Sequence, residues 1–302
     1  MANSKYEYVK SFEVEDEVMI PNIIVVHIDG RNFQKFSKFH EFEKPYDARS
    51  LHLMNACATA LLEKFPDISF AYGFSDEFSF VFKKETNFYK RRASKIYSII
   101  VSFFTSVFVT KWKDFFPQME LKAPPSFQSR VVCCASIEVL QAYLAWRQNE
   151  CHIKNQYATC FWELVKCGKS EMDATSLLKG SQKQERNELL FQQFGINYKK
   201  DVREIFRQGS CALRKEVECI EKYQENGTPV KRKRWKVIIV HSENISAGSF
   251  WNHHQYLIEH VGLFVECIKN IKPEYIKSFQ YEGKLMPSTW IVVRIDGCHF
   301  HG

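Results

Sequence analysis

The sequence has no C-x-x-C pair among its ten cysteines. A structural zinc site therefore lacks support, because such sites draw thiolates from closely spaced pairs. Scattered cysteines in a chain of 302 residues are typical of buried or free thiols in a reducing compartment. No run approaches the roughly 20 apolar residues of a membrane span, and residues 1–13 contain no apolar core of a signal peptide. We therefore expect a soluble, intracellular protein without a membrane partner.

The composition is that of a globular protein with a modest positive charge. Hydrophobic residues make up 45% and charged residues 25%, and the 26 phenylalanines favour a well-filled core. The formal net charge is +7. Such an excess suits a phosphate-rich partner, because Lys and Arg displace counterions from a nucleic-acid backbone. The same excess also serves solubility, so charge alone does not decide between the two.

An internal repeat relates the two ends of the chain. Residues 7–12 recur as 274–279, and at the same offset residues 24–30 recur as 291–297 without a gap. Because the offset has the size of a domain, the repeat indicates a tandem duplication and not a solenoid. The sequence stops a few residues into the second copy. We therefore expect a fragment or a truncated product of a two-domain protein.

The first copy alternates strand-like and helix-like patterns. The patterns predict a buried strand, a helix, a hairpin, a long helix with a basic start and a second short strand, at residues 23–28, 47–64, 68–82, 89–112 and 130–135. This order is a split βαβ, ferredoxin-like arrangement. Three further helices follow, at residues 137–150, 156–166 and 174–179.

A late hairpin is predicted over residues 217–240, with Asn226-Gly227 as its turn. The run 231–234, Lys-Arg-Lys-Arg, lies on its returning arm. Such a run is typical of a nuclear localisation signal or a nucleic-acid patch. As part of a strand it is equally a charged sheet edge.

Acidic residues mark the end of the first strand and the tip of the first hairpin. Asp29 ends the strand, and Ser75, Asp76 and Glu77 form the tip. Neighbouring strands lie ~4.8 Å apart, so Asp29 and Asp76 can face each other. Two carboxylates so close require a cation, and hard oxygen ligands select Mg²⁺. Gly30 allows a sharp turn and close approach to a triphosphate. Taken singly, however, each motif is a common turn.

Basic residues elsewhere are weaker candidates for phosphate contacts. Lys44 lies in a loop. Its side chain is either a contact for a phosphate or a solvated loop lysine. Arg92 and Lys95 share a face at a predicted helix start, where the dipole disfavours positive charge, so a polyanionic partner or a solvated face explains them. His152 and Asn155 lie between two predicted helices and could hold a phosphate, although a lone histidine is more often structural.

Together these residues resemble the tRNA-His guanylyltransferase family. The resemblance covers about residues 4–260 and begins again at 272. Some plant members carry two such domains in tandem, which would explain the repeat. The matching stretches are KYEYVKSFE at 5–13, IDGRNFQKFS at 28–37, EKPYDARSL at 43–51, YGFSDEFSFVF at 72–82, FYKRRASK at 88–95, WRQ at 146–148, CHIKNQYAT at 151–159 and RNELLFQQFGINY at 186–198.

The resemblance implies an α+β, ferredoxin-like (βαββαβ) catalytic domain of the polymerase-palm type, with added helices and a C-terminal hairpin region. It divides the chain into three parts. Residues 1–137 form the palm-like catalytic domain, and residues 138–265 form the helical and hairpin C-terminal part of the same unit. Residues 266–302 are the truncated start of a second tandem copy.

The resemblance also implies the reaction. ATP adenylylates the 5′-monophosphate of tRNA-His, the 3′-OH of GTP displaces AMP, and pyrophosphate is removed, which leaves an extra guanosine at position −1. Each active site would use two Mg²⁺ ions. The partners are then tRNA-His, GTP and ATP, and the assembly is a homotetramer. We expect the protein in the nucleus or the cytoplasm.

Site residues carry over from the family position by position. Asp29 and Asp76 would bind both metal ions, the Gly30 carbonyl would bind one, and Glu77 would support this catalytic site. The nucleotide-binding residues would be Asp29, Gly30, Arg31, Asn32, Phe33, Gln34, Lys44, Ser75 and Asp76. Contacts to tRNA or a second nucleotide would come from Arg92, Lys95, Arg130, His152 and Asn155.

Two positions depart from the family pattern. Gln34 stands where relatives have His, and Lys154 lies in a stretch that often reads His-Ile-Asn-Asn. Both departures could alter contacts to nucleotide or tRNA.

Three other functions remain open. A non-catalytic tRNA- or nucleotide-binding module would keep the basic surface but would not need the paired carboxylates. A nucleotide cyclase of the palm type would share the two-metal site and would leave the basic helix unused. A 3′–5′ polymerase that repairs truncated tRNA 5′ ends is a variant of the first function.

Overall fold

The computed structural model describes Lys5 and residues 16–223, 229–241 and 243–257. The strands are β1 Ile23–Gly30, β2 Ile68–Phe74, β3 Glu77–Phe82, β4 Phe127–Cys134, β5 Ser210–Tyr223 and β6 Pro229–Val240. The helices are α1 Phe33–Phe39, α2 Ala48–Lys64, α3 Ala93–Phe115, α4 Ile137–Lys166, α5 Glu171–Leu178, α6 Lys183–Phe194, α7 Tyr198–Asp201, α8 Glu204–Arg207 and α9 Gly248–His253. A short 3₁₀ helix, Phe88–Arg91, precedes α3.

The strands form one antiparallel sheet in the order β4-β1-β3-β2-β5-β6. The first four strands, with α2 and α3 between them, have the order of a split βαβ unit. The predicted α+β, ferredoxin-like class is therefore confirmed. β5 and β6 extend this sheet beyond β2, so the C-terminal hairpin shares the sheet of the first 137 residues. The division at residues 137 and 265 stays a prediction.

The late hairpin is longer than the sequence pattern predicts. Its strands begin at Ser210 and end at Val240, whereas the predicted turn at Asn226-Gly227 lies outside the described residues. β6 is an edge strand of the described sheet and contains the 231–234 run, in agreement with a charged sheet edge. The second copy of the repeat, 266–302, also lies outside the described residues.

The basic start of the predicted helix 89–112 is not α-helical. Tyr89, Lys90 and Arg91 have φ angles of 48°, 53° and 57°, in the left-handed region that a right-handed helix excludes. The Arg91 guanidinium is buried and donates to the carbonyl oxygen of Asn22 at 2.6 Å. α3 therefore begins at Ala93, with Arg92 in the capping position.

The two helices predicted at 137–150 and 156–166 are one continuous helix, α4. The predicted break between them is wrong. The polar stretch 151–155 that suggested it contains neither Pro nor Gly, so no residue in it interrupts the helical hydrogen bonds. Gln148, Asn155 and Gln156 are buried on one side of α4. The third predicted helix, 174–179, is α5 and begins three residues earlier.

A hydrophobic core covers each face of the sheet. Successive side chains of a strand point to opposite faces, so Val26 and Ile28 pack with α2 and α3 while Ile23 and Val25 pack on the side of α4 and α9. A third cluster joins α4, α5 and α6. The eight cysteines in the described residues are free thiols, and five of them are buried. The reducing compartment stays a prediction.

α3 is more apolar than the sequence analysis expected. Its 23 residues are long and apolar enough to cross a membrane, with a mean hydropathy of 1.5 in an 18-residue window. However, Ile100, Phe104 and Phe108 are fully buried in the core between α3 and the sheet. Only 22% of that window is buried, so packing in the core accounts for one side of α3.

Candidate active site

The end of β1 and the turn between β2 and β3 lie side by side. β1 pairs with β3, and Asp29 is the register partner of Glu77. The Gly30 amide donates a hydrogen bond to the Asp76 carbonyl oxygen at 3.0 Å. Ser75 has a φ of 53°, so the turn folds back sharply before β3 begins. The sheet thus brings Asp29, Gly30 and Asp76 together at one edge.

Gly30 is required there by close packing. A Cβ atom at this position would lie 2.7 Å from the Phe33 ring and 2.9 Å from an Asp76 carboxylate oxygen. Both separations are shorter than carbon contacts allow. The absence of a side chain on Gly30 therefore lets the Asp76 carboxylate approach the β1 backbone.

One oxygen of the Asp29 carboxylate accepts a hydrogen bond and the other accepts none. Oδ2 accepts a hydrogen bond from Gln128 Nε2 at 2.6 Å. Oδ1 is buried and accepts no hydrogen bond, although Arg130 Nη1 lies 3.8 Å away. A buried carboxylate oxygen without a partner is unfavourable, so this oxygen is available to a cation.

The Asp76 carboxylate is also partly out of water. Burial raises its pKa, and the charge of Asp29 raises it further, whereas the 3.0 Å hydrogen bond from Ser75 Oγ opposes the shift. The Asp29 charge therefore adds to the effect of burial in destabilising the Asp76 anion. A divalent cation between them would remove this repulsion.

The residues fit a magnesium ion. Asp29 and Asp76 supply two carboxylates, and the adjoining backbone supplies carbonyl oxygens. A third protein side chain is not among the ligands, because no group of three His, Cys, Asp or Glu side chains in the described parts of the chain is arranged to hold a metal. Mg²⁺ favours this kind of site, because it keeps several coordination positions for water and phosphate oxygens.

Glu77, the register partner of Asp29, takes part in a buried network beside this pair. Its carboxylate accepts a short hydrogen bond from Arg147 of α4, and Lys154 Nζ lies 3.7 Å from its other oxygen. Burial raises the pKa of Glu77, while Arg147 and then Lys154 oppose that shift. Arg147 Nη2 also lies 3.4 Å from His27 Nε2. One guanidinium thus joins α4 to both strands of the site.

His27 completes the network as a neutral side chain. Burial, together with the nearby positive charges of Arg147, Arg130 and Lys154, lowers the pKa of His27 to about 3. Its Nδ1 lies 3.0 Å from Ser79 Oγ. Neither His27 nor Arg147 is among the site residues predicted from the sequence. The register of β1, in which His27 precedes Asp29 by two, was the available signal for His27.

Beside the aspartates lies a cavity of about 1110 Å³. Asp29 and Arg31 are the predicted nucleotide contacts that do not line it. The remaining predicted contacts do line it: Gly30, Asn32, Phe33, Gln34, Lys44, Ser75 and Asp76. The Phe33 ring packs against Phe36 and Phe108, so its side chain is mainly part of the core. Tyr157 and Trp162 provide aromatic surface on the α4 side.

The predicted tRNA contacts are dispersed. Arg130 is exposed beside Asp29. Arg92 pairs with Asp16 at 3.5 Å. Arg92 and the exposed Lys95 lie at the start of α3, which is tied to the beginning of β1 through Arg91. Asp29 is at the other end of β1. These two cations therefore lie near the opposite ends of the strands, away from the aspartates.

His152 and Asn155 lie near a second cavity, of about 520 Å³. His152 lines it together with Lys183, Asn187 and Arg207. Burial lowers the pKa of His152, which favours its neutral form. Asn155 is only 2% exposed and accepts a 2.8 Å hydrogen bond from the Tyr198 hydroxyl, so its side chain belongs to the wall beneath the cavity.

Two aspartates at one end of neighbouring strands in a ferredoxin-like sheet, beside a nucleotide-sized cavity, indicate an enzyme that acts on nucleotides. Comparison with known proteins narrows this class. The family model "Thg1: tRNAHis guanylyltransferase" matches residues 6–135, and "Thg1 C terminal domain" matches residues 138–252. The chain therefore belongs to the tRNA(His) guanylyltransferase family of nucleotidyltransferases.

Individual relatives agree with this assignment. The chain is 64% identical over 301 residues to tRNA(His) guanylyltransferase 1 of Arabidopsis thaliana, in a match that covers 100% of this chain and 53% of the relative. It is 48% identical to a probable tRNA(His) guanylyltransferase of Dictyostelium discoideum, covering 84% of this chain and 97% of that protein. The chain spans about half the length of the Arabidopsis relative.

A solved structure supports the fold. The crystal structure of the Saccharomyces cerevisiae tRNA(His) guanylyltransferase superimposes with a TM-score of 0.65 at 43% sequence identity. The match covers 68% of this chain and 92% of the yeast chain.

Proposed function

We propose that this chain adds a guanosine to the 5′ end of tRNA-His, at position −1, with ATP and GTP as co-substrates. The observation that carries the proposal is that the Gly30 amide holds the Asp76 turn beside the end of β1, next to a buried Asp29 oxygen that accepts no hydrogen bond. Membership of the guanylyltransferase family supports the same substrate. The whole assembly, as a homotetramer acting in the nucleus or the cytoplasm, is part of the proposal.

The proposed reaction has three steps. A 5′-phosphate oxygen of the tRNA attacks the α-phosphorus of ATP, which releases pyrophosphate and leaves an adenylylated 5′ end. The 3′-hydroxyl oxygen of GTP then attacks the tRNA 5′-phosphorus, loses its proton and expels AMP. Water finally attacks the triphosphate of the added nucleotide and releases pyrophosphate. Each step exchanges one P–O bond for another.

The side chains of the site would divide this work. Asp29 and Asp76, with the Gly30 carbonyl, would hold two Mg²⁺ ions, which when bound activate an attacking oxygen and stabilise a leaving one. Ser75 and Lys44 would orient the triphosphate at the cavity wall. Arg130 would hold the tRNA 5′-phosphate close to Asp29. Asp29, Gly30, Ser75 and Asp76 are positioned by a strand end or by the turn next to one, which favours fixed geometry.

The test is transfer of label from GTP to tRNA. The purified chain is incubated with 5′-monophosphorylated tRNA-His, Mg²⁺, ATP and labelled GTP, beside the Asp29→Ala and Asp76→Ala variants. Asp114→Ala serves as the control, because Asp114 is an exposed carboxylate at the end of α3. Label at the 5′ end in the wild type and the control, and its loss in both site variants, is the expected result.

Two other outcomes would replace the proposal. A folded wild-type chain that binds tRNA-His without transferring label would be a tRNA-binding module. A chain that extends tRNAs lacking their first 5′ nucleotides, with each added base complementary to the opposite strand, would be a 5′-end repair polymerase. The second outcome requires truncated tRNA substrates and all four labelled nucleotides.

A further inference from the structure

Lys154 is a positively charged residue of the cavity wall that has no role in the proposed reaction. It extends from α4 towards the β2–β3 turn, where its Nζ lies 3.7 Å from Glu77 Oε2 and 5.3 Å from the centre of the Phe74 ring. Its side chain is 50% exposed. It lines the same cavity as Ser75 and Asp76.

Arg147 is the main counter-charge of Glu77, ahead of Lys154. Arg147 already donates to the Glu77 carboxylate, and both side chains are buried, at 6% and 10% exposed. A buried carboxylate with such a hydrogen-bonded guanidinium forms a charge-assisted ion pair. Lys154 is therefore a second cation beside Glu77, and its charge also acts on Asp76. Of the two cations it is the one that lines the cavity.

The cavity needs cations at this place if it holds a triphosphate. Asp76 projects into it and repels phosphate oxygens. Lys44 approaches from the α1–α2 loop, with its Nζ 3.3 Å from Ser37 Oγ and 5.8 Å from the Trp162 ring. A lysine is a compact charge on a flexible stem, so Lys154 can exchange its Glu77 contact for a phosphate by rotating side-chain bonds.

We propose that Lys154 binds a phosphate group of the nucleoside triphosphate in this cavity, where α4 approaches the β2–β3 turn. The proposal rests on the proposed function for the identity of the nucleotide. It assigns a role to a residue at which this sequence departs from its family pattern. Lys154 is here a binding residue for phosphate and takes no proton from the reacting groups.

The test compares GTP with guanosine, which has the same base and sugar but no phosphate. Binding of each to the full chain is measured by titration calorimetry with Mg²⁺ for wild type, Lys154→Met and Lys154→Arg. Lys166→Met is the matched control, because Lys166 is an exposed lysine of α4 paired with Glu163. We expect Lys154→Met to weaken GTP binding by about tenfold, the loss of one charge-assisted contact. Lys154→Arg and Lys166→Met should retain it.

Guanosine binding and stability separate this role from a structural one. Guanosine should bind equally to all four proteins, and thermal unfolding of Lys154→Met should match that of the control. Unchanged GTP binding by Lys154→Met, equal losses for GTP and guanosine, or no GTP binding by the wild type would each overturn the proposal.

The label-transfer assay distinguishes failure of this inference from failure of the proposed function. A phosphate-specific loss of binding in a chain that transfers no label would uphold the role of Lys154 and reject the activity. Label transfer by a chain whose Lys154→Met variant binds GTP normally would uphold the activity and reject the role.

Discussion

The Gly30 amide donates to the Asp76 carbonyl oxygen at 3.0 Å, and the Gly30 α-carbon faces the Asp76 carboxylate. This contact fixes the β2–β3 turn against the end of β1. The relative position of Asp29 and Asp76 therefore depends on a residue that has no side chain. A Cβ atom on Gly30 would be 2.9 Å from an Asp76 carboxylate oxygen and 2.7 Å from the Phe33 ring.

Gly30→Ala should abolish activity and lower stability. The added methyl group has to displace either the Asp76 carboxylate or the Phe33 ring, and overpacking of this kind costs ~1–3 kcal/mol. Gly248→Ala is the control, because a Cβ atom there meets nothing within 4 Å. Urea unfolding and label transfer measure the two effects. Wild-type activity in a folded Gly30→Ala protein would show that the turn tolerates displacement.

Asp76→Asn should separate stability from activity. Burial and the Asp29 charge disfavour the Asp76 carboxylate in the metal-free protein, as its raised pKa shows. A neutral amide removes that repulsion, so we expect unfolding of the metal-free variant at an equal or higher temperature and a loss of label transfer. Differential scanning calorimetry in EDTA, beside the exposed control Asp114→Asn, measures the first effect. A clear destabilisation by Asp76→Asn alone would contradict this account of the carboxylate pair.

Mg²⁺ should stabilise the wild type more than the Asp76→Asn variant. A cation that binds only the folded state raises its stability in proportion to the logarithm of its concentration. The shift in unfolding temperature between EDTA and saturating Mg²⁺ should therefore be large for wild type and small for the variant. Equal shifts in both proteins would place the cation elsewhere.

Arg147→Met should destabilise the protein strongly. It leaves Glu77 as a buried carboxylate with only the half-exposed Lys154 nearby, and breaking a buried pair costs ~3–5 kcal/mol. The double variant Arg147→Met/Glu77→Gln removes both charges and should recover most of that loss. Denaturant unfolding of Arg147→Met, Glu77→Gln and the double variant gives the coupling energy between the two side chains. A coupling near zero would mean that the contact contributes little.

The aspartate pair could be predicted because it follows from local rules. A β-branched run ending in Asp-Gly predicts a strand end, and Gly-Phe-Ser-Asp-Glu between two apolar arms predicts a hairpin tip. The ferredoxin-like order then places the two side by side, and the structure has β1 paired with β3. The role of Arg147 depends on a contact with Glu77 across 70 residues, which no local pattern contains.

The sequence pattern does not predict that α4 is continuous, for a related reason. Its polar central stretch resembles a loop, yet its buried amides find partners in other elements. Gln156 donates to the Lys183 carbonyl oxygen at 3.0 Å, and Gln148 donates to that of Glu243 at 2.9 Å. Polar residues are normally exposed, so their burial inside a helix becomes predictable only when the partners' positions are known.

Asp47→Asn should lower stability at neutral pH and flatten its dependence on acid. Asp47 caps α2 and accepts hydrogen bonds from the Arg49 amide at 2.9 Å and the Glu43 amide at 3.1 Å. Burial alone would raise its pKa, but these bonds and the Arg49 guanidinium hold the pKa below its usual value. The folded state therefore binds the proton less readily than the unfolded chain, whose aspartate pKa is about 3.9.

The sign of the pH effect follows from that difference. Stability from Asp47 is fully present above about pH 5 and is lost as the pH falls through 3.9 towards the lower folded-state value. Asn retains the helix-capping role, so the loss at pH 7, ~1 kcal/mol, comes from the charge-assisted bonds between the Asp47 carboxylate and the Arg49 guanidinium. The gap to wild type should narrow at pH 3.5. Urea unfolding at both pH values, with Asp114→Asn as the exposed control, tests this. A gap that stays constant or widens in acid would mean that the Asp47 charge does not stabilise α2.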